Sequence, residues 1–126
     1  MRILLDTAVL IFAVNAPERL SKKVAAALQN PENILELSAV SLVEIAIKTA
    51  LGKLAVSAEI AQQAIADLDI RVLSFTAEHA FRLLDLPPLH SDPFDRQIIA
   101  QAFVEKIPVA TPDDKFRLYK GLKIAW

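Results

Sequence analysis

The chain contains no cysteine. That excludes disulfides, thiolate zinc sites and cysteine nucleophiles, and it is compatible with a reducing cytoplasm. Glycine is nearly as scarce, at Gly52 and Gly121 only. No glycine-rich loop exists to cradle a phosphate, so nucleotide-dependent enzymes of the P-loop or dinucleotide type are ruled out. Net charge is small as well: 14 Lys and Arg against 15 Asp and Glu leave -1. The molecule as a whole is no polyanion binder, and any nucleic-acid contact must use a local basic patch. Long apolar runs are also missing. Ile3-Leu4-Leu5 is cut off by Asp6, unlike a secretory leader, and no run approaches a membrane span. A cytoplasmic protein with no membrane contact is expected.

What the chain does have is apolar character, 54% of 126 residues. The length fits a single domain, residues 1–126, able to bury a continuous core. So large an apolar share in so small a domain implies surface that a partner covers, either in a homodimer or by a bound helix.

The stretch His90 to Val104 organises the rest. Phe94, Ile98, Ile99, Ala102 and Phe103 recur at helical spacing and mark a core face. Asp95 projects from that same stripe, and a buried carboxylate needs a partner. One reading is a capping box, with Asp92 as N-cap, Pro93 at the first helical position and Asp95 reaching back to free backbone N–H groups. The other is a functional acid. The choice turns on whether similar acids recur.

They do. Arg2 to Leu5 reads as a buried strand followed by Asp6, and Thr7 to Val14 as a short buried helix. Ser21 caps a helix through about Gln29, Ile34 to Ser38 is a second strand, and Ser41 opens a helix that Gly52 stops. Helical patterns follow over Ser57–Leu68 and Thr76–Leu86, with a strand around Arg71–Leu73 between them. After the Asp92 helix come a strand at Ile107–Ala110, a helix start at Thr111-Pro112 and a last strand at Lys123–Ala125. Strands alternating with helices predict a parallel sheet covered on both faces.

Ser41-Leu42-Val43-Glu44 is formally another capping box, and Glu44 can pair with Lys48 one turn on. This helix is apolar nearly all round, however, so its acid is expected to look into a cleft. Asp114 has cap spacing from Thr111, which leaves Asp113 without that duty. Four acids at four helix starts explain each position singly. They do not explain the joint placement, because in a parallel sheet all strand ends that precede such acids lie on one edge, where ligands bind. Asp6, Glu44, Asp95 and Asp113 would converge there. Clustered carboxylates either hold protons or bind a hard cation, and their oxygens suit Mg²⁺ or Mn²⁺. Phosphodiester hydrolysis is the natural chemistry.

The sequence resembles the PIN-domain ribonucleases, most closely the toxin half of VapBC-type toxin–antitoxin pairs. The matching pieces run through the whole chain: Leu4-Leu-Asp-Thr7, Ser38 through Lys48, Leu51-Gly-Lys-Leu54, Asp92-Pro-Phe-Asp-Arg96 with Ile99-Ala-Gln-Ala102, Thr111-Pro-Asp113 and the closing Trp126. The resemblance implies a three-layer α/β/α sandwich with a central parallel sheet. It also implies a divalent-metal site and endoribonuclease activity on RNA. Carried onto matching positions, the acids are Asp6, Glu44, Asp95 and Asp113, with Thr7 and Thr111 as supporting hydroxyls. The partner it implies is a cognate antitoxin with an amphipathic helical segment. Ala8 and Val43 stand where many relatives carry histidine and tryptophan, which bears on substrate choice.

Asp92 reads as an N-cap or as the holder of a metal-bound water, and Arg96 as facing a phosphate or pairing with Asp92 or Glu44. His79 and His90 read as surface or helix-start residues, lacking ligand spacing to a second histidine. Phe12, Phe81, Phe94 and Phe103 read as core. Lys48, Lys53, Lys115, Arg117 and Lys120 rim an RNA groove or simply decorate solvated helices. Two rivals remain in view. A phosphoacceptor receiver domain needs a lysine after a late strand, and none precedes Lys115 here. A catalytically silent binding module of the same fold is disfavoured by four intact acids.

Overall fold

A computed structural model describes residues 1–126. Five short strands pair in the order β3-β2-β1-β4-β5, all parallel. They are β1 (Arg2–Leu5), β2 (Ile34–Ser38), β3 (Arg71–Leu73), β4 (Val109–Ala110) and β5 (Ile124–Ala125). Six helices join them: α1 (Thr7–Asn15), α2 (Lys22–Gln29), α3 (Ala39–Ala50), α4 (Ala58–Asp67), α5 (Ala77–Asp85) and α6 (Pro93–Glu105). Short 3₁₀ turns sit at Pro17–Arg19 and Asp114–Leu118.

The alternation along β1 builds the layers. Ile3 and Leu5 point to one face, where Val9 and Leu10 of α1, Val24 and Leu28 of α2, and Ile45 of α3 complete a core. Leu4 points to the other, against Ile98, Ile99 and Ala102 of α6, with Val109 and Phe116. Since both sheet faces are covered, β1 is apolar at every position after Arg2. The result is the three-layer α/β/α sandwich with a central parallel sheet that the alternating pattern predicts.

Helix starts follow local chemistry. Ser21, Ser57 and Thr76 side chains accept from Val24, Ile60 and His79 backbone N–H groups. Asp92 Oδ1 accepts from Phe94 N at 2.8 Å and Asp95 N at 3.2 Å, and Pro93 follows at the first helical position. Gly52 at φ 72° ends α3 in the left-handed conformation, where a side chain would be strained.

Several expectations need correction. Helix α3 begins at Ala39 with Ser38 as its cap, not at Ser41, because Ser38 Oγ accepts from Val40 N. Glu44 therefore lies in the second turn, beyond capping range. Nor is α3 buried all round: Val43, Ile47 and Leu51 are exposed. No α-helix starts at Thr111-Pro112; a 3₁₀ turn begins after Asp113, whose carboxylate accepts from Lys115 N, so Asp113 does cap. His79 and His90 are buried rather than superficial, and Phe81 is 68% exposed rather than core. Phe12, Phe94 and Phe103 are only half-buried. His79 completes a capping box at α5 by accepting from Thr76 N and ties its other nitrogen to Glu105, a tertiary contact the sequence does not announce.

Candidate active site

Strand register brings the first acids together. Leu5 stands beside Leu37 of β2 on one side and Ala110 of β4 on the other. Strand order reverses direction about β1, so the crevice between the carboxyl ends of β1 and β4 is the switch point where open α/β folds bind ligands. Asp6 leaves β1 into it and Thr111 leaves β4 into it. Thr111 Oγ1 donates to Asp6 Oδ2 at 2.7 Å, and Asp6 N donates to Ala110 O at 2.9 Å. Asp6 stands at the N-cap position of α1 yet its side chain makes no capping bond. Its carboxylate is thus committed to the crevice.

Glu44 enters from α3. Thr7 Oγ1 lies 2.8 Å from Glu44 Oε1 and 2.8 Å from Ser41 Oγ, so the Thr7 hydroxyl braces one carboxylate oxygen and Ser41 holds Thr7. The other oxygen takes Lys48 Nζ at 2.5 Å. That hydrogen bond raises the Lys48 ammonium above its ordinary range, against the opposing effect of its partial burial. Asp95 enters from α6. It does not reach back to backbone N–H groups, as a capping box would have it. Its Oδ2 instead lies 2.9 Å from His90 Nε2, and Asp113 Oδ2 lies 3.3 Å from the same nitrogen.

The electrostatics record the crowding. Burial pushes the Asp6 carboxyl up to about 6, with the Thr111 hydrogen bond opposing and the charges of Glu44 and Asp113 adding. Burial also pushes Asp95 up to about 8, helped by the negative charges of Asp6, Asp92, Glu44 and Asp113. Five carboxylates from four segments thus face one another. Asp6 and Glu44 are buried, while the Asp113 side chain is 34% exposed and marks the open side of the crevice.

The donor set fits a hard divalent cation, because positive charge is what Asp95 lacks in order to ionise near neutral pH. Oxygens of Asp95 and Asp113 and a ring nitrogen of His90 already lie within 4.8 Å of one another. Asp6 and Glu44 feel those charges but turn their oxygens toward Thr111, Thr7 and Lys48, so the four expected acids do not form one coordination-sized group here.

Asp92 holds its place as N-cap. Arg96 faces neither a phosphate nor Asp92 or Glu44. It donates to the carbonyls of Pro87 and Leu86 and to the Tyr119 hydroxyl, clamping the segment that leads to His90. Sequence reasoning missed His90 and Ser41. His90 sits five residues before Asp95 across a proline turn, a spacing that carries no helical or ligand signal. An open pocket of about 560 Å³ beside the acids is bordered by Leu89, His90, Ser91, Arg96, Lys115 and Leu118.

An all-parallel sheet with an acidic crevice at its switch point defines a class, and the comparisons give it a family. The chain belongs to the PIN domain family, whose model matches residues 3–122. No curated protein sequence matches it. Among solved structures it is similar to VapBC2 from Rickettsia felis bound to a DNA fragment from the promoter. That match has a TM-score of 0.71 and 20% identity over 98% of this chain and 97% of the other. It is similar to DNA-bound VapBC from Salmonella typhimurium, with a TM-score of 0.67 and 17% identity over 98% and 96%. A toxin–antitoxin complex from Klebsiella pneumoniae gives a TM-score of 0.63 and 18% identity over 94% and 92%. Identities this low speak to the fold alone.

Proposed function

We propose that this protein is a divalent-metal-dependent endoribonuclease that acts as the toxin of a toxin–antitoxin pair. The observation that carries the nuclease reading is the gathering of Asp6, Glu44, Asp95 and Asp113 from four segments at one sheet edge, where burial and neighbouring negative charge raise Asp6 and Asp95. These four would hold Mg²⁺ or Mn²⁺. Such an ion supplies an activated water and neutralises charge on the leaving oxygen. The chain's own residues do the rest. Thr7 and Ser41 orient Glu44, Thr111 orients Asp6, and Asp92 rigidifies the start of α6 on which Asp95 rides. The open side at Asp113 admits the RNA strand, and Lys115 on the adjoining pocket offers a phosphate contact. Hydrolysis adds water across one P–O bond and leaves a phosphate monoester and a free hydroxyl.

The partner reading rests on uncovered apolar surface. Val43, Ile47 and Leu51 form a stripe on α3 at one-turn spacing. A groove between α3 and α4, lined by Leu42, Ile45, Ala46, Val56, Ala61 and Ile65, runs beside it. An amphipathic antitoxin helix suits such a groove. Exposed Phe81 and Leu84 on α5 add a second apolar patch, in keeping with a homodimer. The kinship of the fold with toxin–antitoxin complexes supports the same assignment. With no inhibitory segment placed over the acids, restraint would come from the partner, and an arginine fits, since its fork of donors engages two carboxylates at once.

The test is direct. Purified protein should cleave RNA with Mg²⁺ or Mn²⁺ and stop on chelation, and it should have a dimer's mass by light scattering at micromolar concentration. Expressed alone in bacteria it should arrest growth, whereas Asp6→Ala should not. Wild-type and Asp6→Ala chains that are both soluble and equally harmless would remove the toxin assignment. Metal binding without RNA cleavage would leave a binding module of the same fold.

A further inference from the structure

His90 is 5% exposed and both of its ring nitrogens are engaged. Asp92 N donates to Nδ1 at 3.3 Å, which makes Nδ1 an acceptor and places the imidazole proton on Nε2. That one N–H is hydrogen-bonded to Asp95 Oδ2 at 2.9 Å, and Asp113 Oδ2 lies 3.3 Å from the same nitrogen, close enough for electrostatic contact but off the hydrogen-bond direction. The ring is held from behind. Its edge meets Phe116, which is fully buried, at a centroid distance of 6.0 Å and an interplanar angle of 74°. Its backbone N–H donates to Tyr119 Oη at 3.1 Å, and the same hydroxyl accepts from Arg96.

We infer that His90 is a positioning residue of the acidic site: its Nε2–H holds Asp95 at the start of α6, and the same polar edge of the ring lies against Asp113 after β4. The two carboxylates are carried by different elements and repel. The positive Nε2–H edge between them offsets that repulsion, and the hydrogen bond to Asp95 keeps its oxygen within 4.8 Å of Asp113, a spacing one cation can span. The histidine is not itself a ligand in this arrangement. Nδ1 is engaged by a backbone N–H and Nε2 carries a proton, so neither nitrogen has a free lone pair, and a hard cation prefers the carboxylate oxygens. Arg96 and Tyr119 act one step further out, fixing the loop from which the ring projects. This inference rests on reading the crevice as a metal site and adds a residue to it.

Calorimetric titration of the metal-free protein with Mn²⁺ tests it. His90→Leu should bind Mn²⁺ about 10- to 100-fold more weakly than wild type. His90→Gln, whose amide nitrogen reaches the place of Nε2, should recover most of the loss. His90→Asn, whose amide stops near the place of Nδ1, should not. Pulsed electron paramagnetic resonance of bound Mn²⁺ should show no directly bonded imidazole nitrogen in the wild-type protein. Wild-type affinity in His90→Leu, equal affinity in the Gln and Asn variants, or a bonded nitrogen would each overturn the positioning role. If His90→Leu does not fold, the Gln and Asn pair decides. A wild-type protein that binds Mn²⁺ but cleaves no RNA would end the nuclease reading and leave this comparison standing; one that binds no Mn²⁺ would end both.

Discussion

Burial raises the Asp95 carboxyl most, and the charges of four other carboxylates, Asp6, Asp92, Glu44 and Asp113, add to it. Replacing it with a neutral isostere removes that repulsion without opening a cavity. Asp95→Asn should therefore lose Mn²⁺ affinity and RNA cleavage while keeping or raising the thermal midpoint of the metal-free protein. Full cleavage by that variant would refute its place in the site. Asp92, only three positions away, should behave in the opposite way. Its carboxylate satisfies two backbone N–H groups at the start of α6. Asp92→Ala should cost about 1 kcal/mol of stability by denaturant unfolding, with cleavage still detectable. Those outcomes would separate a metal-binding acid from a capping one within a single helical turn. Asp92 was legible from Asp-Pro at a helix start. The partner of Asp95 was not, because His90 reaches it through a fold in the chain and not along a helix.

At the scale of elements, α3 presents two different faces. Glu44 and Ile45 point inward, and Val43, Ile47 and Leu51 point out. The sequence could not separate these faces, since both are apolar and only the packing of α3 against its neighbours tells which one is covered. Changing the outward stripe should therefore leave the inward site intact. Ile47→Asp should fold, bind Mn²⁺ as the wild type does, and lose about 2 kcal/mol of affinity for the antitoxin segment, measured by titration. Unchanged partner affinity would move the docking surface elsewhere. The 3₁₀ turn after Asp113 makes a similar point. Thr111 Oγ1 accepts from Asp113 N, two residues on, which bends the chain locally in place of the capping bond to Asp114.

For the whole molecule, stability should depend on pH in two opposing ways. Asp6 and Asp95 are raised to about 6 and about 8, so the folded protein binds more protons than the unfolded chain above the ordinary Asp value of about 3.9. Their contribution to stability is complete below that value and is lost as pH rises through 6 and 8. Glu105 goes the other way. Its hydrogen bond from His79, and then that from Arg2, hold it below the usual carboxylate range. That contribution is present above the unfolded value and is lost as pH falls through the folded one. Metal-free protein should thus be most stable at mildly acid pH, and its thermal midpoint should fall from about pH 5 to pH 8.5. Saturating Mn²⁺ should reverse the fall, by about 2.7 kcal/mol at a hundredfold excess over Kd, with the gain growing as pH rises because protons must leave first. A midpoint independent of metal at pH 8 would contradict the picture.

The sequence by itself determined the strand and helix order, the buried character of β1, the Asp92-Pro93 helix start and the acids that stand next to strand ends and helix starts. Each of these is written in local periodicity or in a turn residue. The tertiary structure alone decided which acid meets which partner. Parallel register sets Asp6 beside Thr111, although the two are 105 residues apart in the chain. The packing of α3 on α1 turns Ser41 from an expected cap into a brace for Thr7, which in turn holds Glu44. Burial around Phe116 draws His90 out of solvent and aims it at two carboxylates. Such contacts depend on how separate elements are placed in space, and a residue pattern read along one element holds no record of its neighbours.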